Sequence, residues 1–369
     1  MYDALLNLHK KETIYIAGPE CFYTNGYTLW DAMRRKAEYY GFSVAMPNDN
    51  QLDLSDTDLQ GNARKIYQNC ANSIRKSTAI LVDLESFRGS EPDSGSIFEL
   101  GMAYAIGMRC YAYSRDKRSL VWKHQGLALK NGVVCDADGR KLPYADLPFA
   151  TCIVGACKVM EGSFDDCLNL YMMDLEEAYK AQALGETKKV IPAPEEKTKY
   201  RPLVYLAGPE RYDREGVNLY NEMKKVCAQS GLDAVTPMDR LDGEPPMDPE
   251  NPYNEAAILF HRYQQHVRDC DAVLANLNDF RGYEPSNDVA FECGMATQLG
   301  KKVFGYMADT TRMCERIPNY GPTREFRDAC GCNAENFAYP INLMYSGSMP
   351  IWEGGFESAV RRLEKELRT

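Results

Sequence analysis

One seventeen-residue pattern, FRGxEP-x5-FExGMA, runs from Phe87 to Ala103 and again from Phe280 to Ala296, at a constant offset of 193 (280 − 87). Chance does not hold that many identities in register, so the chain is a tandem duplication and folds as two like units. Each copy sets one glutamate, Glu99 or Glu292, inside an otherwise apolar helical stretch. A carboxyl group in such a place is either satisfied by local donors or kept there for chemistry.

The remainder of each half repeats in the same order. A short apolar strand enters an identical turn, Ile14 to Glu20 and Val204 to Glu210. An amphipathic helix follows, with Trp30, Met33, Ala37 and Tyr40 at helical spacing in the first copy. Next come a strand ending in a proline turn (Val44 to Pro47; Ala234 to Pro237) and another helical stretch. A third strand (Ala79 to Leu84; Ala272 to Leu277) precedes the glutamate helix, and a fourth lies near Arg109 to Tyr113 or Lys302 to Tyr306. Strands this continuously apolar, alternating with helices, predict buried parallel sheets covered on both faces: two doubly wound α/β domains.

The 369 residues suit two domains of ~180 residues, each able to bury its own core. The reading places them at 1–184 and 203–369. Residues 185–202, rich in Lys, Glu and Pro, form a solvated linker. The segments Lys117 to Tyr144 and Thr311 to Phe337 match least between halves and read as surface insertions or lids.

A net charge of −10 disfavours nucleic-acid polymers as partners. Thirteen cysteines without CxxC pairs or histidine spacing read as reduced thiols, and no metal or organic cofactor is expected. Charged residues by position 12 and the lack of a long apolar run predict no leader, no membrane span and a cytoplasmic location.

In an open parallel sheet, ligands bind beyond the carboxyl ends of the strands. Gly18 and Pro19, the turn at Asp49, and the loop carrying Arg88 and Asp93 all fall there, where the glutamate helix begins. A small-molecule pocket is therefore expected. Asp93 stands where an N-cap belongs, and Glu99 falls in the second turn, where the helix dipole is expected to keep it ionised as a nucleophile. A second carboxyl group that protonates the leaving group completes a retaining displacement at an anomeric carbon. The plainer alternatives are a capping Asp93, a satisfied buried Glu99, and Tyr15 and Tyr205 as core aromatics.

Together, Tyr15-Ile16-Ala17-Gly18-Pro19, Pro47-Asn48-Asp49-Asn50, the stretch from Phe87 to Ala103 and the late Asn342-Leu343-Met344 resemble the nucleoside 2-deoxyribosyltransferase family, once per half. The resemblance implies flavodoxin-like domains paired as an intrachain pseudo-dimer. It implies transfer of 2-deoxyribose from 2′-deoxynucleosides to free nucleobases through a covalent ester on the glutamate, with no cofactor. In that family a neighbouring subunit completes each site with an asparagine that holds the sugar 5′-hydroxyl. Carried onto this chain, the pattern makes Glu99, Asp93 and Tyr15 catalytic, and Gly18, Pro19, Asp49, Arg88, Gly95 and Asn342 substrate-binding.

The halves depart from the pattern in different ways. The first has Thr78 where the family has an aspartate starting the third strand, and Ala150 at the place of the asparagine. The second keeps Asp271, Glu292 and Asn342, but Ser286 replaces the base-facing aspartate and Asp288-Val289 replace the small Gly95-Ser96 pair. One competent site is expected, of Tyr15, Asp93, Glu99 and Asn342. The second, around Tyr205, Asp271 and Glu292, is expected to be degenerate, with Asp288 standing close enough to replace the lost aspartate. Pseudo-dimers are expected to assemble into a homo-oligomer. Two other outcomes stay open. One is a glycosidase of deoxynucleosides or their 5′-monophosphates, with Arg88 as the phosphate's cation. The other is an inactive nucleoside-binding scaffold.

Overall fold

The protein is described here by a computed structural model covering residues 2–142, 146–181, 201–248, 250–318 and 326–368. Most of the expected linker, 185–202, lies outside the described residues. The first module contains helix α1 (Tyr2–His9), β1 (Thr13–Ala17), α2 (Gly26–Tyr39), β2 (Ser43–Ala45), α3 (Leu59–Lys76), β3 (Ala79–Asp83), α4 (Ser94–Ala105) and β4 (Arg109–Ser114). It continues with the short α5 (Leu120–Lys123), a hairpin of β5 (Ala128–Lys130) and β6 (Val133–Cys135), α6 (Thr151–Ala156), β7 (Lys158–Glu161) and α7 (Phe164–Lys180). The second module has β8 (Leu203–Ala207), α8 (Gly216–Gln229), β9 (Asp233–Val235), α9 (Pro252–Asp269), β10 (Ala272–Asn276), α10 (Asn287–Gln298) and β11 (Lys302–Met307). It ends with the short α11 (Met313–Arg316) and α12 (Leu343–Ser346), then β12 (Ile351–Glu353) and α13 (Phe356–Arg368).

Each module holds a five-stranded parallel sheet, ordered β2-β1-β3-β4-β7 and β9-β8-β10-β11-β12. Counted within each module this is the doubly wound flavodoxin-like order 2-1-3-4-5, whose ligand crevice opens where the order reverses, between the first and third strands. β3 is buried along its whole length, so both faces must be apolar, which is why the sequence shows no alternation there. Among the described residues no helix is long and apolar enough to cross a membrane.

The repeated pattern that announced the duplication is mostly an interface. Helices α4 and α10 pack against each other at the centre of one core that draws residues from both modules. A Cβ on Gly101 would lie 2.1 Å from the Phe291 carbonyl oxygen, and one on Gly294 would lie 1.9 Å from that of Phe98. Only glycine permits this approach. Gly89 and Gly282 bridge the two loops backbone to backbone, next to Arg88 and Arg281, which both adopt left-handed φ (52° and 55°). The ion pairs are reciprocal: Arg281 with Glu91 at 3.0 Å, and Arg88 with Glu284 at 3.5 Å. Those glutamates also accept from backbone amides at the opposite helix start, Glu284 from Ser94 (2.7 Å) and Glu91 from Asn287 (3.2 Å). Four exposed N–H groups begin every helix, and here the other module satisfies one of them.

Candidate active site

At the carboxyl ends of β1 and β3 lies a cavity of about 570 Å³ whose wall is shared by both modules. Glu99 and Cys70 line it from the first module, and Glu99 is 5% exposed. The fully buried Tyr15 donates its hydroxyl to Glu99 Oε1 at 2.5 Å. Burial pushes the Glu99 pKa up to about 8, the nearby Asp93 adds to this, and the hydrogen bonds from Tyr15 and Cys70 work against it. The sequence-based expectation of an ionised Glu99 is corrected here: withdrawal from water outweighs the helix dipole, so the unliganded carboxyl keeps its proton at neutral pH.

Asp93 serves the helix and the cavity together. Its Oδ2 caps α4 by accepting from the Ser96 amide (2.8 Å) and hydroxyl (2.6 Å). Its Oδ1 is buried without a partner among the described residues, on a residue that lines the cavity. Burial raises its pKa as well. Asn342 arrives from the second module. It caps α12 through the Met344 amide at 2.9 Å and packs on α4, where a Cβ on Gly95 would meet its Nδ2 at 2.5 Å. Gly95 is small because the partner module's asparagine needs that space. Gly18 lines the cavity too, with the Glu20 carboxylate where a side chain would be (2.1 Å).

Three residues expected at the substrate stand elsewhere. Pro19 opens a single 3₁₀ turn and does not line the cavity. Asp49 closes its own turn, accepting from the Met46 amide (2.8 Å) and from Arg34, while Asn48 and Asn50 face the cavity. Arg88 has a side chain 1% exposed, stacked on Phe22 and Phe87 and paired with Asp328 at 3.1 Å. It holds the two modules together behind the cavity wall, stacked on Phe22 and bonded to the Asn333 carbonyl.

The second module turns the same parts into a closed assembly. Arg211 occupies the place of Cys21 and clamps Glu292 with two hydrogen bonds, 2.8 and 2.6 Å, while Tyr205 donates at 2.7 Å. Glu292 is 1% exposed, and its pKa is raised by burial and lowered by Arg211. Asp288, at the position of Gly95, accepts from the Cys152 amide (2.7 Å) and from the Tyr212 hydroxyl. It thereby caps α6, whose N-cap is Ala150. The exchange is complementary: glycine faces asparagine in one site, aspartate faces alanine in the other. Asp271 accepts from the Leu203 amide (2.7 Å), and Thr78 does the same for Thr13 (3.0 Å). Both sit at the start of the third strand, the end opposite the cavity. The threonine is a structural replacement, not a lost catalytic group.

The least-matched segments are not ordinary surface insertions. Each crosses to the other module's site. Residues 333–337 form part of the first module's cavity wall, and Lys141 donates its amide to the Tyr212 carbonyl at 2.7 Å. Glu335, in the segment that ends at Phe337, carries no signal in the sequence. It accepts from the Leu343 amide at 2.9 Å, and burial pushes it up to about 8. Cys70 was missed also, because a lone cysteine in an amphipathic helix carries no signal.

These features define a class: paired doubly wound modules that share one carboxylate-lined crevice. The chain belongs to the nucleoside 2-deoxyribosyltransferase family, whose sequence model matches residues 14–169 and again 204–344. An uncharacterized protein of Schizosaccharomyces pombe is 25% identical over 186 residues, 46% of this chain and 86% of its own length. A solved 2-desoxiribosyltransferase from Leishmania mexicana is 26% identical, covering 44% of this chain and 97% of its own, with a TM-score of 0.35.

Proposed function

We propose that the first-module site transfers 2-deoxyribose between nucleobases, with Glu99 as nucleophile. The observation that carries this is Glu99 at the cavity wall, hydrogen-bonded by Tyr15 and facing a wall that the second module completes with Asn342. In the first step the ionised Glu99 bonds to C1′ as the C1′–N bond breaks, and Asp93 passes a proton to the departing base. A second base then attacks C1′ from the face that the first one left, its N–H proton passes to Asp93, the C1′–O ester bond breaks to release the Glu99 carboxylate, and the configuration is retained. Apolar side chains of α2, α3 and the loop at Leu52 and Leu54 suit a flat base.

The glutamate of the second module takes no part, because an arginine already satisfies both of its oxygens. Intact mass measurement after mixing with deoxyadenosine tests the mechanism. A deoxyribosyl adduct is expected on the wild type and on Glu292→Gln, and not on Glu99→Gln. Chromatography with and without added cytosine then separates base exchange from hydrolysis. Release of free deoxyribose at the same rate in both would make the protein a glycosidase instead.

A further inference from the structure

Behind the cavity wall, under Gly18, two carboxyl groups meet. Glu20 belongs to the 3₁₀ turn Pro19–Phe22, Asp83 ends β3, and both are buried. A Cβ on Gly18 would lie 2.1 Å from Glu20 Oε2 and 3.0 Å from Asp83 Cβ. Asp83 Oδ1 accepts from the Glu85 amide at 2.8 Å, and Glu20 Oε1 accepts from the Tyr113 hydroxyl at 3.5 Å. Glu20 Oε2 meets no N–H or O–H donor among the described residues. The second module keeps the glutamate, Glu210 under Gly208, but Asn276 ends its strand where Asp83 ends β3. The asparagine amide donates to Glu210 Oε1 at 2.7 Å. An amide supplies a donor at any pH, whereas a carboxyl group supplies one only while it keeps its proton.

Burial and then the Asp83 charge push Glu20 up to about 8, and burial pushes Asp83 up to about 6. The neighbours moderate this without cancelling it. Trp30 on α2 pulls Glu20 down, the Glu85 amide and Arg115 pull Asp83 down, and the Glu85 carboxyl pushes it up. Tyr113, Tyr23 and Cys21, the other titratable groups near the pair, are held neutral by burial. We propose that Glu20 and Asp83 share a single proton, that this proton positions the cavity floor, and that ligand binding at the first-module site therefore weakens in alkaline solution. Glu20 as the acid donates to Asp83, and losing that proton leaves two like charges in a dry place. Gly18, Cys21, Phe22 and Trp30 all line the cavity, and all lie on or against the turn that the pair holds. Both groups bind protons more tightly when folded, so their contribution to stability is complete below pH ~4 and is lost as the pH rises through 6 to 8.

The test is calorimetric binding of deoxyadenosine to the full chain as Glu99→Gln, which has no nucleophile and no titrating group at position 99, and as Glu99→Gln with Asp83→Asn. Between pH 7 and 9 the affinity of the first is expected to fall ~10-fold more than that of the second, whose asparagine copies the other module. Glu20→Gln, which gives Asp83 an amide donor, should flatten the profile likewise and replaces Asp83→Asn if that variant does not fold. Asp93 and Glu335 titrate in all of these proteins, so an equal fall in all of them overturns the proposal. Binding as a readout rests on the proposed nucleoside site, and urea unfolding does not. The unfolding constant of the wild type should rise ~10-fold more than that of Asp83→Asn over the same pH range. If none of the proteins binds deoxyadenosine, the transferase reading falls, and equal rises in the unfolding constant would then overturn the shared proton too.

Discussion

Glu99 and Glu292 occupy equivalent turns of equivalent helices, and each accepts a hydrogen bond from the tyrosine of its first strand. One neighbour separates their fates. Where the first module has Cys21 beside an open cavity, the second has Arg211 against the carboxylate at 2.6 Å. Withdrawal from water makes a carboxyl group costly to ionise, and for Glu292 the guanidinium offsets that cost while occupying both oxygens. The second copy keeps the half of the interface that completes the first module's cavity, Asn342 included.

The sharpest way to break this contrast is to neutralise each glutamate in turn. Glu99→Gln should reduce base exchange on the order of 10³-fold or more. Glu292→Gln should leave turnover per folded molecule near wild type while lowering the melting temperature, because Arg211 then keeps an unpaired buried charge. Should Glu292→Gln be the inactive variant, the assignment is reversed.

Arg211→Ala strands the Glu292 charge and should cost about 3–5 kcal/mol in urea unfolding. Arg211→Met with Glu292→Leu should recover most of that loss, since an apolar pair needs no mutual compensation. Failure of the double variant to recover would mean that the pair does more than satisfy itself.

The pH dependence bears on the first module's glutamate. Glu99 binds its proton more tightly when folded, with its pKa raised from 4.5 to about 8. Its contribution to stability is therefore complete below pH ~4.5 and is lost as the pH rises toward 8. Glu99→Gln should thus be more stable than the wild type at pH 8, by ~2–4 kcal/mol, with the difference vanishing in acid. Over the same range kcat/KM of the wild type should rise as the attacking carboxylate forms. A flat profile from pH 6 to 9 would contradict the burial argument.

The smallest contrast concerns the cross-module caps. Asn342→Ala should lower kcat/KM ~10–100-fold and loosen α12, whereas Asp288→Ala should cost about 0.5–2 kcal/mol of stability without a comparable effect on turnover. Equal kinetic damage from both would revive a catalytic role for Asp288.

Much of this was legible in the chain. The repeat, the strand–helix alternation and the glycine-rich turns pointed to two doubly wound modules, and the spacing of Asp93 from Glu99 placed both on one helix start. Arg88 was misread because a cation in a loop near a pocket looks like a ligand-binding group, and nothing local announces Glu284 or Asp328 as its partners. Thr78 looked like a loss because sequence does not show that its hydroxyl takes over the bond to the first strand's amide, at Thr13. Glu335 lay in a segment with no counterpart to compare.

The order of residues by itself determined the local pieces: the helix caps, the apolar strands, and the glycines at positions 101 and 294 that allow two backbones to touch. Only the tertiary structure decided which glutamate keeps an open cavity. That choice depends on side chains far apart in the sequence, Cys21, Arg211 and Asn342, meeting a carboxyl group whose ionisation responds to every nearby charge and to the loss of water.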